Sequence, residues 1–249
     1  MTLVDQGQLY HRHDRADARL GRNLWLDARS LAYRVEGDPD LMALRLRSVR
    51  WDRVLPVLDQ GDLGACTGYA GTGMLGTAPY WWQVGQYVVP QDAGHASRFA
   101  VELYSDATKV DPWPGQYPPD DTGSSGLAVC KVLKTRGTIT GYRWATSARG
   151  LVRLLQDGPV MMGMPWHSAF FEPDRSGFID NGQWWTSGVA GGHEVEVVAV
   201  DVNERDLSAS VLTCVNSWGS SWGDAGRFRM RVGTYERLRG VDLKQFVVD

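Results

Sequence analysis

The sequence predicts an α+β fold of two lobes, with helices in its first part and antiparallel strands in its second. Three observations carry that expectation. Apolar residues recur at helical spacing as far as Leu155, period-two alternation sets in after Pro159, and no internal repeat or low-complexity linker divides the 249 residues. A chain of this length forms one large domain or two lobes that share an interface. The expected division is an N-terminal extension of unassigned role over residues 1–50, a mainly helical lobe over 51–145 and a β-rich lobe over 146–249.

The first fifty residues are charged and irregular, with one short helix expected from Asp38 to Leu46, opened by DPD. From Trp51, WDRVLPVL reads as an extended, proline-containing approach. The glycine-rich stretch LDQGDLGACTGYAG, Leu58 to Gly71, then leads into a small-residue helix, CTGYAGTGML, even though each internal glycine costs up to about 1 kcal/mol against alanine. SRFAVELYSDATK predicts a helix with Ser97 as N-cap and Phe99, Val101, Leu103 and Tyr104 near one apolar face. SSGLAVCKVLKTRG, capped by Ser124 or Ser125 and stopped by Gly137, and SARGLVRLLQDG, stopped by Gly158, repeat the scheme. Beyond Pro159 come PVMMGMPW, a GFIDNGQWW hairpin with an Asn-Gly turn, HEVEVVAVD, SVLTCVNSW and RFRMRV. Together they predict an antiparallel sheet or barrel of about five to six strands.

Composition narrows the function. A net charge of -3 and a pI near 6.0 give no electrostatic reason for a nucleic-acid or anionic-membrane partner. The first twenty residues lack the apolar run of a secretory signal, and nowhere does the chain approach ~18 consecutive apolar residues. Three cysteines, Cys66, Cys130 and Cys214, leave at least one unpaired and match no metal spacing. A reducing, cytoplasmic or phage-associated location fits that pattern. Nothing fixes an oligomeric state.

Three constellations could carry chemistry. GTGMLG, Gly71 to Gly76, satisfies GxGxxG but lacks the preceding strand that a dinucleotide site needs, so small residues packed against a neighbouring element are expected instead. His11, His13 and Asp14 in HRHD could share a metal, yet no further ligand follows, and solvated terminal charge is the expectation. The third joins distant segments. Cys66 opens a helix, whose N-terminal end favours a thiolate. His193 starts HEVEVVAV, and Asn216 starts NSWGSSWG. A cysteine nucleophile needs a base, and the base needs a third group to hold its ring.

VLDQGDLGACTGYA resembles the nucleophile segment of papain-like cysteine peptidases, GGHEVEVVAVD their histidine strand and VNSWGSSWGDAGRFRM their asparagine segment. The likeness runs from about Trp51 to Val232 and is strongest to short bacterial and phage members. It implies a two-lobed fold with a helical left lobe, a barrel-like right lobe and a cleft between them, acting on peptide or protein substrates without metal or cofactor. Cys66 would be the nucleophile of a thioester acyl-enzyme, His193 base and then acid, and Asn216 its orienter. Gln60, six residues before Cys66, would help form the oxyanion hole. Trp218 would cover the Asn-His bond, Trp222 would line the leaving-group side, and Gly123 and Ser124 would pair with substrate main chain.

Four features depart from the family pattern. Leu63 stands where extracellular members have a disulfide cysteine, and Thr67 where an aromatic residue often follows the nucleophile. Only about fifty residues precede Trp51, too few for the usual long inhibitory propeptide, so latency is expected to be controlled otherwise. Glu194 replaces a small residue of the main specificity pocket. It is either a solvated strand residue alternating with Glu196 or a pocket residue that favours a basic side chain at the second position before the scissile bond. The alternative to an active peptidase is a catalytically silent peptide-binding or phage structural module, or an enzyme of acyl transfer or cell-wall peptide cleavage.

Overall fold

The computed structural model describes residues 16–238 and 240–248. His11, His13 and Asp14 lie outside the described residues. The short helix α1, Pro39–Ala43, begins where Asp38 accepts a hydrogen bond from the Leu41 amide and Pro39 sets the first helical φ. α2 is Cys66–Leu75, and a π-helical turn at Trp81–Gly85 runs into α3, Gln86–Val88. α4 spans Ala93–Val110 and α5 spans Gly126–Thr135, the latter capped by Ser125. α6, Ala148–Leu155, is capped by Ser147, and α7 is Val232–Arg237. The N-cap of α4 is Asp92, whose Oδ1 accepts from the His95 amide at 2.9 Å, so Ser97 lies inside the helix rather than at its start.

Among the described residues, six strands form one antiparallel sheet in the order β2-β7-β3-β4-β5-β6, and a seventh, β1, pairs with β4 off that path. They are β1 Val49–Arg50, β2 Gly141–Ala145, β3 Val160–His167, β4 Val189–Asp201, β5 Val211–Val215, β6 Arg227–Arg231 and β7 Asp242–Val247, with β1 beside the far end of β4. The sheet keeps two open edges, β2 and β6, and is not the expected barrel. The strands that raise the count above five or six are the short β1 and the β2–β7 pair, which joins Gly141 to Val247 across the chain. β7 buries Asp242, Lys244 and Gln245, so its composition argues against the very strand it forms. GFIDNGQWW is no hairpin: the Asp180 carboxylate accepts from the Arg231 amide and the Thr234 hydroxyl, while Trp184 turns into the core on a 3-10 turn.

Two apolar clusters flank the sheet. One gathers Trp166, Phe170, Phe228, Met230 and the inner face of α6, and the other packs α2, α4 and α5 through Met74, Leu103, Leu127 and Leu133. Every residue of α2 is buried, which explains its small side chains: a methyl group on Gly73 would sit 2.6 Å from Glu196 Oε2. Glu196 is held there by Arg53 at 3.1 Å and the Thr77 hydroxyl at 2.5 Å, tying the approach to the nucleophile segment onto β4. Burial pushes the Glu196 pKa up. Arg53→Met should therefore destabilise the fold at pH 7 by about 3 kcal/mol, because it leaves a buried carboxylate unpaired. The deficit should shrink toward pH 4 as that carboxyl takes up a proton. Thermal unfolding across pH checks this, and a variant as stable as wild type at pH 7 would contradict it.

Candidate active site

Cys66 is the first residue of α2, so its side chain sits at the end of a helix where free amides gather. Cys66, Cys130 and Cys214 are all reduced and buried. Burial pushes the Cys130 and Cys214 thiols well up, which makes them inert small apolar residues. GTGMLG forms the body and end of α2, with no strand before it.

His193 lies on β4, and its Nε2 is 2.7 Å from Asn216 Oδ1, just past the end of β5. The same oxygen accepts from the Ser217 amide at 2.8 Å. Two bonds to one carbonyl oxygen fix the Asn216 side chain and leave the imidazole Nδ1 edge for whatever faces it. Trp218 packs over the ring with centroids 4.8 Å apart, and Trp166 of β3 meets it edge-on at 4.9 Å. Water is thereby kept from the His193 and Asn216 bond. Burial pushes the His193 pKa down to about 4, against the opposing effect of the Asn216 bond. Trp222, 5.1 Å from Trp218, lines a cavity of about 560 Å³ with Phe171, Asp174 and Arg229.

Gln60 is buried beside this group. Its Oε1 accepts from the Ser217 hydroxyl at 2.5 Å, which turns the amide nitrogen outward, and Nε2 donates to the Leu63 and Arg19 carbonyls at 2.6 and 3.0 Å. Opposite, the Tyr104 hydroxyl donates to Asp121 and accepts from the Gly123 amide, holding the edge that continues through Ser124. The Ser124 hydroxyl donates to Asp111, whose carboxyl burial raises to about 7. Glu194 is not a solvated strand residue: it and Glu196 are both buried. The structure thus brings His193, Asn216, Gln60, Trp218, Gly123, Ser124 and Glu194 around residues 16–23, and Cys66 follows two residues after Gly64, whose main chain abuts Gly21.

The groove is filled by the chain itself. Residues 16–23 run between its walls: the Gly21 carbonyl accepts from the Ser124 amide at 2.8 Å, and the Asn23 amide donates to the Ser124 carbonyl at 2.6 Å. On the opposite wall, the Arg22 amide donates to the Gly192 carbonyl at 3.0 Å. The Arg19 guanidinium, paired with Asp17, lies 4.2 Å over the Trp218 ring. The first fifty residues, expected to be too few for a long inhibitory propeptide and given no role, therefore supply a segment of eight residues, 16–23, that lies between both walls. Sequence reasoning also passed over Trp166 and Ser217. Ser217 stood within the quoted NSWGSSWG, and only its link to Gln60 shows what it does.

A family model described as "Papain family cysteine protease" matches residues 110–244. The chain belongs to the papain family. A curated relative, cysteine proteinase 3 of Entamoeba histolytica, is 28% identical over 202 residues, covering 73% of this chain. The chain spans 61% of that relative's length. Among solved structures, xylellain, a cysteine protease from Xylella fastidiosa, aligns with a TM-score of 0.64 at 16% identity, covering 93% of this chain and 97% of that one. The proform of Amb a 11, a ragweed pollen cysteine protease, aligns at 0.62 and 15% identity over 95% of this chain and 70% of that one. At such identities the likeness is one of fold, and it is a papain-family fold of helices and an open antiparallel sheet.

The His193 environment sets a pH dependence. A base whose pKa falls from 6.5 to about 4 on burial disfavours the occluded arrangement as pH falls through that window, by up to about 3 kcal/mol relative to an opened groove. Gly21→Val opens it selectively, because any β-carbon at Gly21 overlaps the Gly64 main chain. Histidine NMR should find His193 titrating near 4 in the Cys66→Ala chain and closer to 6.5 when Gly21→Val is added. Titration near 6.5 in both would contradict the buried arrangement.

Proposed function

We propose that the protein is a cysteine endopeptidase that hydrolyses peptide bonds through a thioester acyl-enzyme. The observation that carries the reading is the Arg19 carbonyl on Gln60 Nε2 at 3.0 Å: a peptide carbonyl already rests on the donor assigned to the oxyanion. In this reading the Cys66 thiolate attacks the substrate carbonyl carbon, and the negative charge that grows on oxygen is met by Gln60 Nε2 and the Cys66 amide. Each such donor contributes roughly 3 kcal/mol in comparable chemistry. His193 takes the thiol proton and gives it to the departing amine, then takes a proton from the water that opens the thioester. Asn216 holds the imidazole through both transfers. Neither metal nor organic cofactor enters any step of this scheme.

The division into residues 51–145 and 146–249 then supplies the two walls of the groove, with residues 16–23 as a clasp that must leave before a substrate enters. No helix among the described residues is long and apolar enough to cross a membrane. The test is hydrolysis of a mixed peptide library by the full chain carrying Gly21→Val. Activity should appear there, vanish with Cys66→Ala, and fall about 100-fold or more with Gln60→Ala, the loss seen when one oxyanion donor is removed. A clasp-displaced chain that cleaves no peptide would instead make the groove a silent peptide-binding module.

A further inference from the structure

Gly64 and Asp121 stand 57 residues apart in the chain, and no disulfide joins their segments, because Cys66, Cys130 and Cys214 are all reduced. A side chain joins them instead. Asp121 Oδ2 accepts from the Gly64 amide at 3.1 Å, two residues before Cys66, and Asp121 Oδ1 accepts from the Tyr104 hydroxyl at 2.6 Å. The Tyr104 oxygen in turn accepts from the Gly123 amide at 2.9 Å. Gly64 and Gly123 are both buried, so their amides need acceptors inside the protein. The bonds run in one sense, from each amide toward the Asp121 carboxyl, which collects both.

Tyr104 is itself pressed against the nucleophile helix. It is wholly buried on α4, and α4 approaches α2 so closely at Gly68 that a methyl group there would lie 2.2 Å from the Ala100 carbonyl oxygen and 2.8 Å from Tyr104 Cβ. The circuit therefore closes. α2 bears on Tyr104, Tyr104 on Asp121 and Asp121 on Gly64, and Gly64 leads back into α2 through Ala65 and Cys66. Chemistry explains the residue type at the centre of it. A carboxylate accepts on both oxygens, whereas the amide of asparagine accepts on one and turns an N–H toward the second donor.

We propose that Asp121, held by Tyr104, is a positioning residue that sets the distance between the nucleophile loop and the edge of Gly123 and Ser124. The proposal rests on the peptidase reading for what the two sides do: the edge pairs with substrate main chain, and the loop delivers the Cys66 thiol and amide. Asp121 takes no part in bond cleavage. With the tie intact, a peptide paired to the edge presents its carbonyl at Cys66; with the tie broken it still pairs, and its carbonyl arrives out of place. Chemistry then suffers before binding does, since a misplacement of about 1 Å costs on the order of 100-fold in rate.

The experiment compares Asp121→Asn and Tyr104→Phe, each in the full chain carrying Gly21→Val. In peptide hydrolysis, kcat per folded molecule should fall about 10-fold or more in each variant while KM stays within about threefold of the parent, the split that marks a lost transition-state alignment. Amide hydrogen exchange, read with Cys66→Ala added so that no turnover occurs, should quicken by about tenfold or more at both Gly64 and Gly123, while β4 amides keep their protection. A side chain that serves folding alone would lower protection in β4 as well and leave kcat per folded molecule unchanged. Should Asp121→Asn fail to fold, Tyr104→Phe carries both measurements. Faster exchange at only one of the two glycines, or an unchanged kcat in variants of an active parent, would overturn the proposal. A parent that cleaves nothing removes the peptidase reading, and exchange at Gly64 and Gly123 then decides the tie by itself.

Discussion

Helix α2 has no solvent-facing side, and the rest of the structure is arranged around that constraint. A ten-residue helix buried on every face must be small enough for neighbours to approach, must be held to the sheet as well as to α4 and α5, and must begin inside that packing. Glycine, alanine and threonine meet the first demand at the expense of helix propensity, a loss that packing against α4, α5 and β4 outweighs. The Arg53 and Glu196 pair meets the second by fixing the entry to the helix against the sheet. The third leaves Cys66, the first residue of the helix, buried on the element packed against the strand that carries His193.

Electrostatics then separates two jobs within one groove. Around His193 the surroundings are aromatic and dry, so the imidazole is kept neutral and its bond to Asn216 is protected. A few residues away, around Glu194 and Asp242, buried carboxylates demand a cation. The clasp reaches both regions at once, with the Arg19 carbonyl on Gln60 beside the first and the Arg22 guanidinium at the second. A segment that meets several polar groups of a groove is held by those groups together, and losing any one contact weakens the hold on the others.

Much of the site was legible before the structure, because it depends on short contiguous signals. Gln60 and Cys66 share one turn, HEVEVVAVD announces its strand by alternation, and NSWGSSWG places Asn216 at a strand end. The illegible parts depend on partners distant in sequence. β7 was missed because Asp242 and Lys244 look like surface residues until each other and Arg22 are beside them. The Asn-Gly hairpin failed because Asp180 found Arg231 and Thr234 rather than a facing strand. The clasp was illegible for the same reason: an irregular, charged segment acquires order only from the two walls it bridges.

The central claim is that an assembled Cys66 and His193 pair lies under residues 16–23. Its most direct measurement is the rate of iodoacetamide modification of each cysteine at pH 6.5, read by peptide mapping, in wild type and in Gly21→Val. Wild-type Cys66 should react as slowly as Cys130 and Cys214, and displacing the clasp should make it at least about 100-fold faster than either, provided His193 is present, as an activated thiolate requires. A Cys66 that stays as slow as Cys130 and Cys214 after the clasp is displaced would contradict the account.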